Sequence, residues 1–232
     1  MMNIVINGGT SGIGKEIALY LSRNKENNIL VTGRNRVALE ELKEGAVNRN
    51  ILTHQIDLEE FDKYEKSFQK FVAAHFGHID VLINNAGLLI VNDFMRSSTE
   101  EARKMMETNF FGPAALTRAL HNLMKKGSHI VNISSMGGYQ GSSKYKGLSY
   151  YSASKAALSS LSECLAEEFS ESGIIVNCLA LGSVGTGMLE KAFPGYKAPV
   201  NASEMAEFIS WFAINGNKFF NGKVLPVAMS NP

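Results

Sequence analysis

Hydrophobic positions along the chain fall into two recurring patterns. Short runs, apolar on both faces, occur at 3–7 (NIVIN), 28–33 (NILVTG), 51–57 (ILTHQID), 79–85 (IDVLINN), 128–135 (SHIVNISS), 173–181 (GIIVNCLAL) and 222–228 (GKVLPVA). Between them lie stretches with helical spacing: GKEIALYLSRN, RVALEELKE, EEFDKYEKSFQKFVAAHFG, a long amphipathic segment at 99–126, another at 150–172, and ASEMAEFISWFAI. A doubly apolar run suits a strand covered on both faces, and a helix after each run suits a parallel crossover. Right-handed crossovers then give an α/β doubly wound parallel sheet of about seven strands, with helices on both faces. No internal repeat, low-complexity tract or Pro/Gly/Ser-rich linker divides the chain, so the expectation is one domain over 1–232.

Composition narrows the function classes. Of 232 residues, 45% are apolar and 19% charged, enough apolar content for a sizeable core. Lys plus Arg number 23 against 22 Asp plus Glu, so no basic field points to nucleic acid or an anionic membrane. No apolar run approaches the roughly 20 residues of a membrane helix. The start, MMNIVINGG, reaches a glycine turn with no basic region or cleavage site, and the expected location is cytoplasmic. Cys164 and Cys178 lie in apolar periodic segments and are expected as buried free thiols.

The first strand runs into NGGTSGIGKEIA, which spaces Gly8, Gly12 and Gly14 as G-x-x-x-G-x-G. Glycines let backbone approach a pyrophosphate, and the following helix aims free N–H groups and its positive dipole end at the anion. Thr10 and Ser11 add hydroxyls. A plain glycine-rich linker is the other reading; the strand before and helix after favour a dinucleotide site. At the end of the second strand, VTGRNR has Gly33 where an acid would receive a ribose hydroxyl, followed by Arg34 and Arg36. A guanidinium matches a 2′-phosphate, so NADP(H) is favoured over NAD(H). Asp57 either accepts from an adenine amino group or caps the following helix.

Tyr151 and Lys155, in YYSASK, are four apart on one helix face, whereas Tyr150 has Ser154 at that offset. A phenol with a pKa near ~10 is a poor acid–base group at neutral pH, and a neighbouring ammonium would lower it by about 1–3 units. The run NISS brings Ser134 and Ser135 to the carboxyl edge of the sheet, where open α/β sheets bind ligands. NNAG (84–87) puts small residues at another strand end, and Asn109 sits mid-helix among Met106, Phe110 and Phe111, where its amide needs a partner or a local break. The five histidines are scattered and His75-x-x-His78 has no third ligand nearby, so no metal is expected.

Together, G-x-x-x-G-I-G at 8–14, N-A-G at 85–87, Asn109, the serine of NISS and Y-x-x-x-K at 151–155 resemble the classical short-chain dehydrogenases/reductases, over Asn3 to about Val227. That resemblance implies a Rossmann-like fold. It implies Tyr151 as proton donor, Lys155 acidifying it and holding the nicotinamide ribose, Ser135 orienting the carbonyl, and Asn109 holding a relay water. It further implies a cofactor site along Gly8, Thr10, Ser11, Gly12, Ile13, Gly14 and Arg34, with Asp57 and Leu58 at the adenine. Asn85, Ala86 and Gly87 would border the adenosine-side ribose, and Val184 and Thr186 would bond the carboxamide. A short substrate lid at about 187–202 and a homodimer or homotetramer are implied too.

The chain departs from the pattern in places: Asn7 replaces a threonine, Leu181 a proline, and VLPVAMSNP lacks a terminal Asp-Gly-Gly. Extra residues around GSSKYKG either shape the substrate pocket or form a solvated insertion. The expected activity is NADPH-dependent reduction of a ketone or aldehyde, or the reverse, on a small molecule. A 3-oxoacyl thioester is an alternative substrate, and an NADP-binding regulatory or scaffold protein an alternative class.

Overall fold

The computed structural model describes residues 1–229. The chain opens β1 (Met2–Asn7), α1 (Gly12–Ser22), β2 (Asn27–Gly33), α2 (Arg36–Gly45), β3 (Ile51–Gln55), α3 (Glu65–His75) and β4 (Ile79–Asn84). It continues through α4 (Thr99–Met106), α5 (Gly112–Leu120), β5 (Met124–Ser135), α6 (Ser149–Glu168) and β6 (Ile175–Leu181). Last come β7 (Val184–Gly185), α7 (Gly187–Ala192), β8 (Val200–Asn201), α8 (Ala202–Asn215) and β9 (Lys223–Val227). Seven strands form one parallel sheet in the order β3-β2-β1-β4-β5-β6-β9; β7 and β8 make a separate two-stranded ribbon absent from the sequence expectation.

The burial of β1 explains why its pattern is not alternating. Ile4 and Ile6 pack into a layer with Ile17 and Leu21 of α1 and Ile209 and Phe212 of α8. Val5 faces the opposite layer, among Phe68 and Val72 of α3 and Leu116 and Leu120 of α5. Apolar demand on both faces fixes strand register, since a one-residue slip would exchange the two layers. The chain leaves β1 toward β2 and β3 on one side and returns to β4 and β5 on the other. That reversal opens a crevice beyond the carboxyl ends of β1 and β4.

The helix expected over 99–126 is three pieces. Ser98 caps α4 through a capping box with Glu101. At Glu107–Phe111 the helix widens into a π turn, with the Gly112 N–H bonded to the Glu107 carbonyl. Pro113 has no N–H to give the Asn109 carbonyl, so i→i+4 pairing cannot pass through unchanged. The helix then stops at Leu120 instead of Lys126, because Met124 already pairs with Ile79 across a bulge in the sheet. The segment AALTRAL serves the protein's own core: Ala115, Leu116, Ala119 and Leu120 are buried. Cys178 is buried as expected; Cys164, on the outer side of α6, is exposed.

Polar side chains also cross the core. Asn7, Thr32, Asn84 and Asn132 occupy register-matched positions of four neighbouring strands. Thr32 donates to Asn7 (3.2 Å), Asn84 donates to Asn132 (2.8 Å), and Asn132 donates to Ser162 of α6 (2.9 Å). The Asn7 amide nitrogen and the Asn84 amide oxygen, a matched donor and acceptor on paired residues, have no protein partner. Deeper in β5, fully buried His129 lies with Nδ1 3.0 Å from the Ala213 carbonyl and Nε2 3.0 Å from the Asn177 amide nitrogen. This fits a neutral ring donating from Nδ1 and accepting at Nε2. Burial pushes its pKa down to about 4.

Candidate active site

The crevice is a cleft of about 1100 Å³ running from the glycine turn to α7. Two glycines set its near end. Gly8 has φ +80° and a Cβ there would lie 2.5 Å from the Ala86 backbone. At Gly14 a Cβ would meet the Gly8 carbonyl at 2.2 Å and the Asn85 amide nitrogen at 2.4 Å. Asn85 uses that amide to donate to the Gly8 carbonyl at 2.8 Å, tying the end of β4 to the turn. The Ser11 side chain makes no cap bond to α1, so the first N–H groups of that helix face the cleft without a side-chain acceptor.

Gly8, Thr10, Ser11, Gly12 and Ile13 line this end, with Arg34, Asp57, Leu58, Asn85, Ala86 and Gly87 beyond them. Gly14 lies beneath the turn and supports it. Asp57 lines the cleft and also caps the turn that follows it, its carboxylate accepting from the Glu59 N–H at 3.1 Å. Arg34 is exposed and its guanidinium donates to Glu59 at 3.3 Å, a neighbour that sequence spacing did not reveal.

At the far end, the adjacent pairs in the sequence separate. Ser134 turns into the protein and donates to the Lys155 carbonyl at 2.8 Å, whereas Ser135 lines the cleft. Tyr150 stacks on Phe94, with ring centroids 5.5 Å apart, and Tyr151 lines the cleft. Gly138 allows the turn after β5 to seat on α6, where a Cβ would lie 2.5 Å from the Ala156 nitrogen.

Asn109 resolves its buried amide through the π turn. Its oxygen accepts from the Leu88 N–H at 2.7 Å, and its nitrogen donates to the Leu88 carbonyl at 2.9 Å and to Ser154 at 2.9 Å. The side chain therefore stands behind the cleft wall and fixes the 87–88 backbone, with the Gly87 α-carbon facing both Asn109 and Lys155. Lys155 is 3% exposed and donates to the Ile133 carbonyl at 2.8 Å.

The electrostatics correct one expectation. Burial pushes the Tyr151 phenol above its ordinary value, and the Ser135 hydroxyl pulls it only partly back. The Lys155 ammonium, itself lowered to about 8 by burial, directs one of its three N–H groups at the Ile133 carbonyl. A phenol so placed stays protonated at neutral pH, the form that gives a proton away.

Val184 and Thr186 close the cleft opposite the glycine turn, and the Thr186 hydroxyl caps α7 by accepting from the Leu189 N–H at 3.3 Å. Sequence reasoning missed the 88–91 wall and Leu148. It left the insertion open, and Tyr145 of that insertion does line the cleft. The loop is fixed by Asn92 N–H donation to the Gly147 carbonyl at 3.1 Å and a Lys146–Asp93 pair at 3.5 Å. Among the described residues, no helix is long and apolar enough to cross a membrane, and no group of three His, Cys, Asp or Glu could hold a metal.

Comparisons with known proteins agree with this arrangement. The family model described as short chain dehydrogenase matches residues 2–197. Dehydrogenase/reductase SDR family member 7B of Mus musculus is 38% identical over 192 residues, 80% of this chain and 58% of the relative. The chain thus spans 58% of that curated relative's length. An uncharacterized oxidoreductase of Staphylococcus epidermidis is 30% identical over 207 residues, covering 88% of this chain and 87% of the relative. Among solved structures, a short chain dehydrogenase from Burkholderia cenocepacia in complex with NADP superposes with TM-score 0.84 at 22% identity, over 98% of this chain and 96% of that one.

Proposed function

The chain belongs to the short-chain dehydrogenase family, and from that premise we propose that it reduces a ketone or aldehyde to an alcohol with NADPH, or runs the reverse. The observation that carries the reading is the placement of Ser135 and Tyr151 on one wall of a cleft whose other end is a glycine turn at a helix N-terminus. The residues fit a dinucleotide: the turn has no side chain at Gly8 or Gly14 to fill the approach, and free N–H groups of α1 face it. A bound nicotinamide supplies the hydride.

The protein's own part is placement and a proton. Ser135 donates to the substrate oxygen and holds it beside the phenol. Tyr151 passes its hydroxyl proton to that oxygen as negative charge develops there. Lys155, cationic below about pH 8, stabilises the resulting phenolate and binds ribose hydroxyls. Asn109 fixes the Leu88 backbone and so this part of the cleft wall, and a relay water near it would return a proton to Tyr151. Val184 and Thr186 serve the carboxamide through their backbone, and 187–202 act as a short lid.

Preference for NADP(H) rests on Arg34 at the adenosine end and on Gly33. A Cβ at Gly33 would lie 2.5 Å from Thr10 Cγ2, so the acid that reads a ribose diol is not accommodated without displacing Thr10. The test is NADPH oxidation with a panel of ketones, comparing Tyr151→Phe with Tyr150→Phe. The first should lose about 10²–10⁴ in kcat and the second little. Equal losses, or cofactor binding with no turnover on any carbonyl, would overturn the assignment and favour a regulatory protein.

A further inference from the structure

Arg34, the cation at the adenosine end of the cleft, already has an anion for company. One guanidinium nitrogen stands 3.3 Å from a Glu59 oxygen, and Gln55 pins the backbone from which the side chain swings by donating to the Arg34 carbonyl at 2.9 Å. The same Glu59 oxygen accepts from the Thr108 hydroxyl at 3.4 Å. Thr108 is buried in the π turn, so the carboxylate is tethered to the frame of the cleft. The Glu59 side chain is 24% exposed and that of Arg34 58%. The anion is therefore the fixed member of the pair and the guanidinium the mobile one.

Two neighbouring lysines are engaged elsewhere: Lys63 bonds Glu60 and Lys104 bonds Glu100, each at 2.8 Å. Asp57 brings a second carboxylate to the same end of the cleft. A 2′-phosphate that engages Arg34 thus meets a guanidinium already turned toward an anion. Two anions on different edges of one guanidinium stand about 6–7 Å apart, and near-bulk dielectric makes their repulsion worth roughly threefold to tenfold in affinity.

We infer that Glu59 is a specificity-determining residue: its carboxylate shares Arg34 with the cofactor, so NADPH is preferred by less than Arg34 alone would give and NADH remains a usable second cofactor. This inference deepens the reductase reading and rests on its cofactor site, not on turnover.

The experiment is calorimetric titration of the full chain and of Glu59→Gln with NADPH and with NADH. Glutamine keeps an oxygen for the Thr108 hydroxyl and removes only the charge. The variant should bind NADPH about three- to tenfold tighter and NADH within about twofold of the native protein. In ~0.5 M NaCl the gain should shrink below about twofold, a response that a purely structural change would not give. The fragment 2′,5′-ADP should repeat the gain and 5′-AMP should not. In an Arg34→Ala background, where nothing holds the phosphate beside Glu59, the same change should yield no more than about twofold.

NADPH binding unchanged or weakened in Glu59→Gln overturns the inference and makes Glu59 an aid to Arg34. A ratio that rises through loss of NADH binding also overturns it and makes Glu59 a ribose ligand. If neither nucleotide binds the native protein, the reductase reading falls together with the inference; binding of both with an unmoved ratio sinks the inference alone.

Discussion

Acid should weaken this protein in a way traceable to one ring. His129 is fully buried, and its environment lowers its pKa from 6.5 to about 4. The folded state therefore binds fewer protons than the unfolded state between those two values. The stability that the neutral ring allows is complete above pH 6.5, declines as pH falls, and is fully lost below about pH 4. At about 1.4 kcal/mol per pH unit, the whole interval corresponds to about 3 kcal/mol, and a fall from pH 8 to pH 5 to about 2 kcal/mol. For a chain of this length that is a drop of about 4–8 °C in Tm. Other groups titrate over the same range, so the useful quantity is a difference. In His129→Gln a carboxamide offers one donor and one acceptor toward Ala213 and Asn177 but cannot take up a proton. The Tm gap between native protein and variant should shrink by about 4–8 °C from pH 8 to pH 5. A gap independent of pH, or an NMR titration of the His129 ring near 6.5, would refute the reasoning.

Three further outcomes are expected. Arg34→Ala should weaken NADPH binding by about tenfold and leave NADH nearly unchanged, read by fluorescence titration; the effect is at the low end for charged hydrogen bonds because the guanidinium is exposed. Gly14→Ala places a methyl group 2.2 Å from the Gly8 carbonyl, so a loss of about 1–3 kcal/mol in a denaturant melt and a weaker cofactor Kd should appear together. Lys155 loses its charge as pH rises through about 8, so NADPH affinity should fall several-fold between about pH 7 and pH 9.5, and Lys155→Met should show no such dependence.

The sheet was legible because each strand is apolar on both faces and each is followed by a helix, so even imprecise boundaries give the same winding. The site motifs were legible where a residue's role depends on chain position: the glycine turn, NNAG, NISS and YYSASK all arrive at carboxyl strand ends or on the next helix. What escaped was pairing across the fold. Nothing near Arg34 in sequence announces Glu59, which comes alongside only when β2 and β3 lie in register. The sign of the Tyr151 shift likewise depends on how deeply α6 is covered, and i,i+4 spacing does not encode that. The polar row through Asn7, Asn84 and Asn132 had a visible signal, an asparagine at the same depth in three strands, hidden because each run was read for its apolar residues alone.

The π turn ahead of Pro113 amounts to one residue more than a regular helix would use, and each residue of an α-helix advances the direction of its side chains by about 100°. The rods α4 and α5 are therefore out of phase with each other, and the angular offset between them is what lets Asn109 reach backward to Leu88 while Leu116 and Leu120 still meet the sheet. Deleting a single residue from 107–111 would realign the two rods and force a choice between those contacts, so this short stretch should tolerate substitution far better than any change in its length.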